Sequence, residues 1–239
     1  MFGVATIHET IAFHERGLPL SGIPLPFSTR QWEYPWCWSR MQDFGVGPGG
    51  RVLDVGCACN PFMVELARRG LHVTGVDLYS TDDPANPHPQ FGGFDRSYEN
   101  EFLRFCQASM DRVPLPDASF DAVFCLSVLE HCDEAMRRGG LREMLRMLKP
   151  GRPLIITEDY IPGAIVPVPG VLHVCGRTMD YDFREHVACT GRPLADPSAR
   201  IPTDAEIARM RDRGELLLNC AVAPGEYYHF TAVGWVVVK

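Results

Sequence analysis

Leu53-Asp54-Val55-Gly56-Cys57-Ala58-Cys59-Asn60-Pro61-Phe62 is the stretch on which the fold turns. The residues leading into it, RVLDV (51–55), form a short apolar run that reads as a strand. Asn60-Pro61 reads as a helix start, because Asn accepts a backbone hydrogen bond as an N-cap and Pro presets the first helical φ. Gly56 between them allows a sharp reversal and lets a ligand approach the backbone. A strand feeding a helix through a glycine turn opens a βαβ unit, in which ligands sit at the carboxyl ends of the strands. Asp54, at the end of the strand, can meet a cationic group of such a ligand.

Outward from this turn the texture alternates. Pro61 to Arg69 is expected to be helical, and LHVTGVD (71–77) a second strand. Its last residue, Asp77, falls about 20 residues beyond Asp54, where a Rossmann unit places an acid on ribose hydroxyls. After a loop rich in Pro and Asp from Ser80 to Asp95, Ser97 is expected to cap a helix carrying Tyr98, Phe102 and Phe105. A third strand is expected near Phe105 to Ala108, and FDAVFCLSV (120–128) is a fourth. Leu141, Met144, Leu145 and Leu148 recur at helical spacing before the stop signal Lys149-Pro150-Gly151, after which PLIIT (153–157) is a fifth strand. Thr203 and Glu206 form a capping box for a helix ending at Gly214. LLLNCAV (216–222) and YYHFTAVGWVVV (227–238) then read as an antiparallel hairpin at the sheet edge. Strands separated by helices imply an α/β fold, a mostly parallel sheet with helices on both faces.

Residues 1–50 show no strand pattern and are expected to form a helical cap. Ile7 and Ile11 share one face of a short helix, and a second helix opens with Pro35 at its first position and ends at Gly45. Residues 51–239 are the main domain, with an irregular insertion over about 162–202.

Composition narrows the function. Hydrophobic residues make up 46% and charged residues 22% of 239, which fits a globular chain and excludes disordered and coiled-coil classes. With a net charge of −7 and no block of Lys and Arg, a nucleic-acid partner is not expected. No apolar run is long enough to span a bilayer and the N-terminus lacks a signal-peptide pattern, so a cytoplasmic location without a membrane partner is expected. The nine scattered cysteines suit a reducing compartment. Cys57-x-Cys59 has no further ligands at compact spacing, so no metal is expected.

These motifs together resemble the class I S-adenosylmethionine-dependent methyltransferases, of the type 11/25-like group. VLDVGCACN (52–60) matches their first motif with Asp54 and Gly56 kept, while Ala58 and Asn60 stand where the family has glycines. Asp77 falls on the acid of the second motif. Ser109 to Asp121 is similar to the third-strand motif and the Phe-Asp opening of strand four, and Leu126-Ser127-Val128-Leu129-Glu130-His131 and Leu148-Lys149-Pro150-Gly151 match the remaining signatures. The resemblance covers about Arg51 to Thr157. A nicotinamide enzyme fits worse, since its fingerprint has no Asp directly before the glycine turn.

The resemblance implies a Rossmann-like, seven-stranded sheet and S-adenosylmethionine as cofactor, released as S-adenosylhomocysteine. It implies contacts from Asp54, Gly56, Cys57, Ala58, Asn60, Pro61, Asp77, Leu78, Ser109, Met110, Asp111, Leu126 and Ser127. In that family an Asp takes the adenine amino group where Ser109 stands here, so either Ser109 substitutes or Asp111 reaches across. Ala58→Gly is expected to leave affinity level and lower stability slightly through added chain entropy.

Methyl transfer from a sulfonium is an in-line displacement, so the protein contributes positioning and modest general-base help. By resemblance the acceptor pocket is lined by the ends of strands four and five and by the cap. His131 is the best general base by intrinsic pKa, with Asp159 or Tyr160 as base or orienter. The Leu-Glu-His triplet also serves structure or cofactor contact in the family. Trp32, Tyr34 and Trp36 are either cap core or a lid over the pocket. His173, His186 and His229 read as structural.

Neither an Asn/Asp-Pro-Pro-Tyr element nor a Pro-Cys nucleophile follows strand four, which favours a small-molecule acceptor methylated on O or N, such as a secondary metabolite. The alternatives are a protein or peptide methyltransferase with an open acidic groove near Asp82 and Asp83, and a non-catalytic Rossmann partner protein. A monomer or homodimer is expected.

Overall fold

The structure, a computed structural model, describes residues 1–20, 29–58, 60–86, 93–161, 166–167, 182–223 and 226–239. In chain order its elements are β1 (Phe2–Val4), α1 (Ile7–Glu15), α2 (Arg30–Asp43), β2 (Arg51–Val55), α3 (Pro61–Arg68), β3 (His72–Asp77), β4 (Leu103–Gln107), β5 (Ala122–Leu126), α4 (Glu134–Met147), β6 (Pro153–Tyr160), β7 (Val166–Pro167), α5 (Phe183–Cys189), α6 (Asp204–Asp212), β8 (Asn219–Ala223) and β9 (Glu226–Val238). Short 3-10 turns cover Arg96–Tyr98 and Leu129–His131.

The sheet runs β1-β9-β6-β5-β2-β3-β4, with β7 and β8 also paired to β9. Strands β2 to β6 are mutually parallel, β9 is antiparallel to β6, and β1 is antiparallel to β9. From β2 the chain winds outward to β3 and β4, then returns to β5 on the other side. The order therefore reverses between β2 and β5, and the carboxyl ends of these two strands flank the crevice where an open α/β sheet binds ligands. The expected seven-stranded, mostly parallel sheet is present, and the C-terminal hairpin is formed by β8 and β9.

Both faces of the central strands are covered. Along β5, Ala122, Phe124 and Leu126 join a core with α2 and α3 that includes Trp32, Phe62 and Leu66, whereas Val123 and Cys125 join one with α4, α5 and α6 that includes Leu141, Phe183 and Ile207. Two-sided burial is why β5 reads as a continuous apolar run without alternation. Cys37, Cys57 and Cys125 are buried thiols outside any disulfide, as the scattered spacing suggested. Among the described residues no helix is long and apolar enough to cross a membrane.

Three sequence expectations fail. Residues 1–50 do contain a strand: β1 pairs Phe2 with Trp235 and Val4 with Val233, so the N-terminal segment extends the sheet. Its three residues are too short to show a period. The short helix carrying Ile7 and Ile11 is present as α1, with those residues 44% and 52% exposed and Thr10 and Phe13 buried, but α2 begins at Arg30, so that Pro35 lies in its second turn. The helix expected from Ser97 is replaced by a 3-10 turn and β4. The Asp95 side chain accepts from the Ser97 amide at 2.8 Å, and the Asn100 side chain accepts from the Phe102 and Leu103 amides at 2.8 and 3.1 Å. Such local side-chain turns compete with helix. Phe105 is drawn into the sheet, where it stacks on Phe94 with ring centroids 4.8 Å apart.

Candidate active site

The glycine turn sits at the carboxyl end of β2. Gly56 adopts φ +76°, and a Cβ placed on it would lie 2.6 Å from Val128 Cγ2, so the glycine makes room for the segment following β5. This close approach ties the turn after β2 to the Leu129–His131 turn. The Gly56 and Cys57 amides donate to Val76 O at 2.8 and 3.1 Å, and Ala58 lies in the left-handed region at φ +42°. In that conformation the Ala58 amide donates to Asp77 Oδ2 at 2.8 Å, joining the ends of β2 and β3.

Asn60 serves two purposes. Its Oδ1 accepts from the Phe62 amide at 2.9 Å, capping α3 with Pro61 in the first turn, and its Nδ2 donates to Asp54 Oδ2 at 3.0 Å. The other oxygen, Asp54 Oδ1, is buried without a hydrogen-bond partner among the described residues. Burial pushes the Asp54 carboxyl up to about 8, with Asp77 adding to the shift and the Asn60 hydrogen bond opposing it. Burial also raises Asp77, against the hydrogen bonds it receives from Ala58 and Tyr79. Beside Asp77, Leu78 is 48% exposed, an apolar side chain at the lip of the crevice.

Next to β4, Ser109 Oγ donates to Asp111 Oδ1 at 2.5 Å. Met110 and Asp111 dock against α4 at two glycines: a Cβ on Gly140 would meet Met110 Sδ, and one on Gly139 would meet Asp111 Cβ, each at 2.6 Å. These helix-interior glycines place the loop after β4 along the crevice, a role their isolated presence in the sequence did not reveal.

A second polar cluster is built where β5 and β6 end beneath α2. Leu126 closes β5 as a buried residue, and Ser127 follows at φ +51°. The Ser127 hydroxyl donates to Glu33 Oε1 at 2.6 Å and accepts from Arg30 Nη1 at 2.6 Å, while Thr157 Oγ1 donates to the same Glu33 oxygen at 2.5 Å. Arg30 also pairs directly with Glu33. Sequence reasoning missed Arg30 and Glu33; the available signal was a carboxylate inside the aromatic run Trp32-Glu33-Tyr34-Pro35-Trp36. Glu130 Oε1 accepts from the Asp159 amide at 2.9 Å. Burial, reinforced by the charge of Glu33 and opposed by Arg30, pushes Asp159 up to about 7. The His131 ring reaches solvent and is held below its ordinary value by desolvation of its inner side and by the Arg30 charge. One ligand atom each of Glu130, His131 and Asp159 lie within 4.8 Å of one another.

The expected site residues therefore divide. Asp54, Gly56, Cys57, Ala58, Asn60, Pro61, Asp77 and Leu78 converge on the ends of β2 and β3, while His131, Asp159 and Ser127 gather at the neighbouring ends of β5 and β6. Tyr160 does not join them. It lies on the opposite face of β6, where its hydroxyl donates to Asp204 Oδ1 at 2.7 Å and its ring meets Phe183 edge-on. Glu158 shares that face and accepts from Trp235 Nε1 at 2.8 Å, with His186 Nδ1 at 2.5 Å. His186 is structural, as expected; His173 and the His229 side chain lie outside the described residues.

The aromatic residues are core and not a lid. Trp32 and Trp36 stack at 5.1 Å, Trp32 Nε1 donates to Glu9 Oε2 at 2.6 Å, and Trp36 fills the space left by Gly3 and Gly234. Tyr34 stacks on Phe62 at 5.1 Å and is buried against α3.

With this geometry in place, comparison with known proteins gives a consistent result. Residues 53–156 match the methyltransferase domain family. An O-methyltransferase, rstn1, of Aspergillus nomiae is 34% identical over 125 residues, covering 52% of each chain. An uncharacterized methyltransferase of Mycobacterium sp. (strain KMS) is 36% identical over 143 residues, 58% of this chain and 52% of that one. The chain thus spans about half the length of these curated relatives. Among solved structures, the [4+2]-cyclase SpnF superposes with a TM-score of 0.53 at 20% identity, covering 86% of this chain and 81% of the other. Geranyl diphosphate C-methyltransferase of Streptomyces coelicolor A3(2) does so with 0.53 at 15% identity, covering 85% and 76%. At these identities the structures establish the fold, and a cyclase among them shows that the fold alone does not set the reaction.

Proposed function

Because the chain carries a methyltransferase domain over residues 53–156 on a Rossmann-like sheet, we propose that it binds S-adenosylmethionine across the ends of β2 and β3 and methylates an oxygen or nitrogen of a small molecule. The observation that carries this reading is Asp54 Oδ1, a buried carboxyl oxygen at the base of the glycine turn without a hydrogen-bond partner among the described residues. An unsatisfied buried charge is costly, and a cationic amino group placed there would relieve the cost. The amino-acid end of the proposed cofactor is such a group. The α3 N-terminus, capped by Asn60, adds a favourable field for its carboxylate.

The remaining residues fit the same ligand. Asp77 offers a carboxylate to ribose hydroxyls, Leu78 and Met110 offer apolar surface to a flat base, and Ser109 or Asp111 offers an acceptor to an amino group. The cofactor supplies a methyl group activated by its sulfonium. The acceptor's proton leaves through the His131 and Asp159 side of the crevice. Tyr160, held by Asp204 on the other face of β6, takes no part.

Titration calorimetry with S-adenosylhomocysteine tests the reading. Saturable binding and a rise in Tm are expected, since a ligand bound by the native state alone stabilises it by mass action. NAD should give neither. Heat for NAD with none for S-adenosylhomocysteine would overturn the proposal, and absence of both would favour the non-catalytic partner.

A further inference from the structure

We propose that Glu130, His131 and Asp159 hold a divalent cation of the manganese or zinc class at the acceptor end of the crevice, with open positions for an acceptor oxygen. The three donor groups come from the turn after β5 and the end of β6, and their ligand atoms already lie within 4.8 Å of one another. Donors sharing one ion at about 2.1 Å are separated by about 3 to 3.6 Å, so the set has to draw in by about an ångström when an ion binds.

An independent observation points to a ligand there. Glu130 is 5% exposed, its Oε1 holds the Asp159 amide, and its Oε2 is buried without a hydrogen-bond partner among the described residues. Native proteins rarely leave a buried carboxylate oxygen unmet, and a bound ion is one recognised reason for it. The charge balance points the same way. Glu130 lies within electrostatic reach of Asp159 and Glu158, and Asp159 within reach of Glu33 and Glu158, while Arg30 is committed to Glu33 and Ser127. A divalent cation bound among them would offset negative charge that Arg30, held by Glu33 and Ser127, does not balance. Sequence analysis expected no metal because it weighed Cys57-x-Cys59; the donors that converge are an imidazole and two carboxylates from separate strand ends, a hard-to-borderline set that suits Mn2+ or Zn2+.

Three protein donors leave positions for exogenous oxygens. On the methyltransferase reading, which this consequence rests on and metal binding does not, the acceptor class is a hydroxyl or carboxylate compound that coordinates through oxygen. An ion held there would lower the pKa of a bound hydroxyl, and its proton would pass to solvent.

The test is equilibrium binding of Mn2+ to the chelator-stripped full chain, read by the loss of the free Mn2+ electron paramagnetic resonance signal. No cofactor is present, so the outcome is separable from that of S-adenosylhomocysteine binding. One saturable site per chain is expected. Asp159→Asn, Glu130→Gln and His131→Ala should each weaken it at least tenfold, whereas Glu134→Gln, a nearby exposed carboxylate, should leave it unchanged. Glu130→Gln keeps an oxygen for the Asp159 amide, and the Tm of each variant verifies that it folds. Zn2+ is to be tested by competition and by direct calorimetry. Absence of saturable binding for both ions, or an equal loss in Glu134→Gln, would overturn the site.

Discussion

Replacing Ala58 by glycine separates backbone strain from ligand fit. Ala58 holds φ +42°, a left-handed conformation that brings its amide to Asp77 Oδ2 at 2.8 Å. For a residue with a Cβ this conformation costs about 1–2 kcal/mol. Glycine removes that cost and keeps the hydrogen bond, which uses the backbone alone. Against it stands the greater freedom of glycine in the unfolded chain, about 0.4–1 kcal/mol. The balance is a stabilisation of about 0.5–1 kcal/mol, which raises Tm by about 1–4 °C in a chain of this size. This reverses the sequence-based expectation of a slight loss, which counted chain entropy without the left-handed backbone. Differential scanning fluorimetry of the two proteins measures the shift, and calorimetry with S-adenosylhomocysteine measures affinity, expected to stay within about threefold since the loop geometry is retained. A lower Tm for Ala58→Gly would refute the strain at this position, and a tenfold tightening would show that the methyl group crowds the ligand.

Asp77→Ala should weaken S-adenosylhomocysteine at least tenfold, because charge-assisted hydrogen bonds contribute roughly 1.5–3 kcal/mol each; an unchanged dissociation constant removes Asp77 from the site. Asp54 is an acid whose folded pKa is raised to about 8, so between about pH 4 and 8 the native state binds the extra proton and stability falls as pH rises. Asp54→Asn should therefore gain Tm over wild type progressively across that window while losing affinity for S-adenosylhomocysteine, and a Tm difference independent of pH would count against the buried charge. Tyr160→Phe should cost about 0.5–1.5 kcal/mol through its lost hydrogen bond to Asp204 and leave ligand affinity unchanged; a tenfold loss of methyl transfer in this variant would return Tyr160 to the reaction.

The half of the site proposed for the cofactor was legible because its signals are local. A cap, a turn and a strand-terminal acid are set by neighbours in the chain, and Asn60, Gly56 and Asp77 occupy the places their chemistry predicts. The acceptor half was less so. Whether Asp159 and Tyr160 share a site depends on the face of β6 each takes, and adjacent residues in a strand point oppositely. Glu33 becomes a hub only when α2 crosses the ends of β5 and β6, bringing it to Thr157 across 124 positions of sequence. Trp32 and Trp36 were ambiguous for a related reason: their burial depends on Gly3 and Gly234, at opposite ends of the chain. At Ser97 a local rule misled, since Asp95 and Asn100 supplied stronger local turns than the helix signal they flank.

The pairing of β1 with β9 orders events in time. Phe2 lies against Trp235, so a segment made early during synthesis has no neighbouring strand until almost the whole described chain has left the ribosome. The slot for Trp36 between Gly3 and Gly234 needs the longest loop closure among the described strand pairs. The α2 face that roofs the β5 and β6 ends carries Trp36 as well as Glu33. The proposed acceptor side thus shares its roof with the contact that joins distant parts of the chain, whereas the glycine turn needs only its near neighbours in sequence.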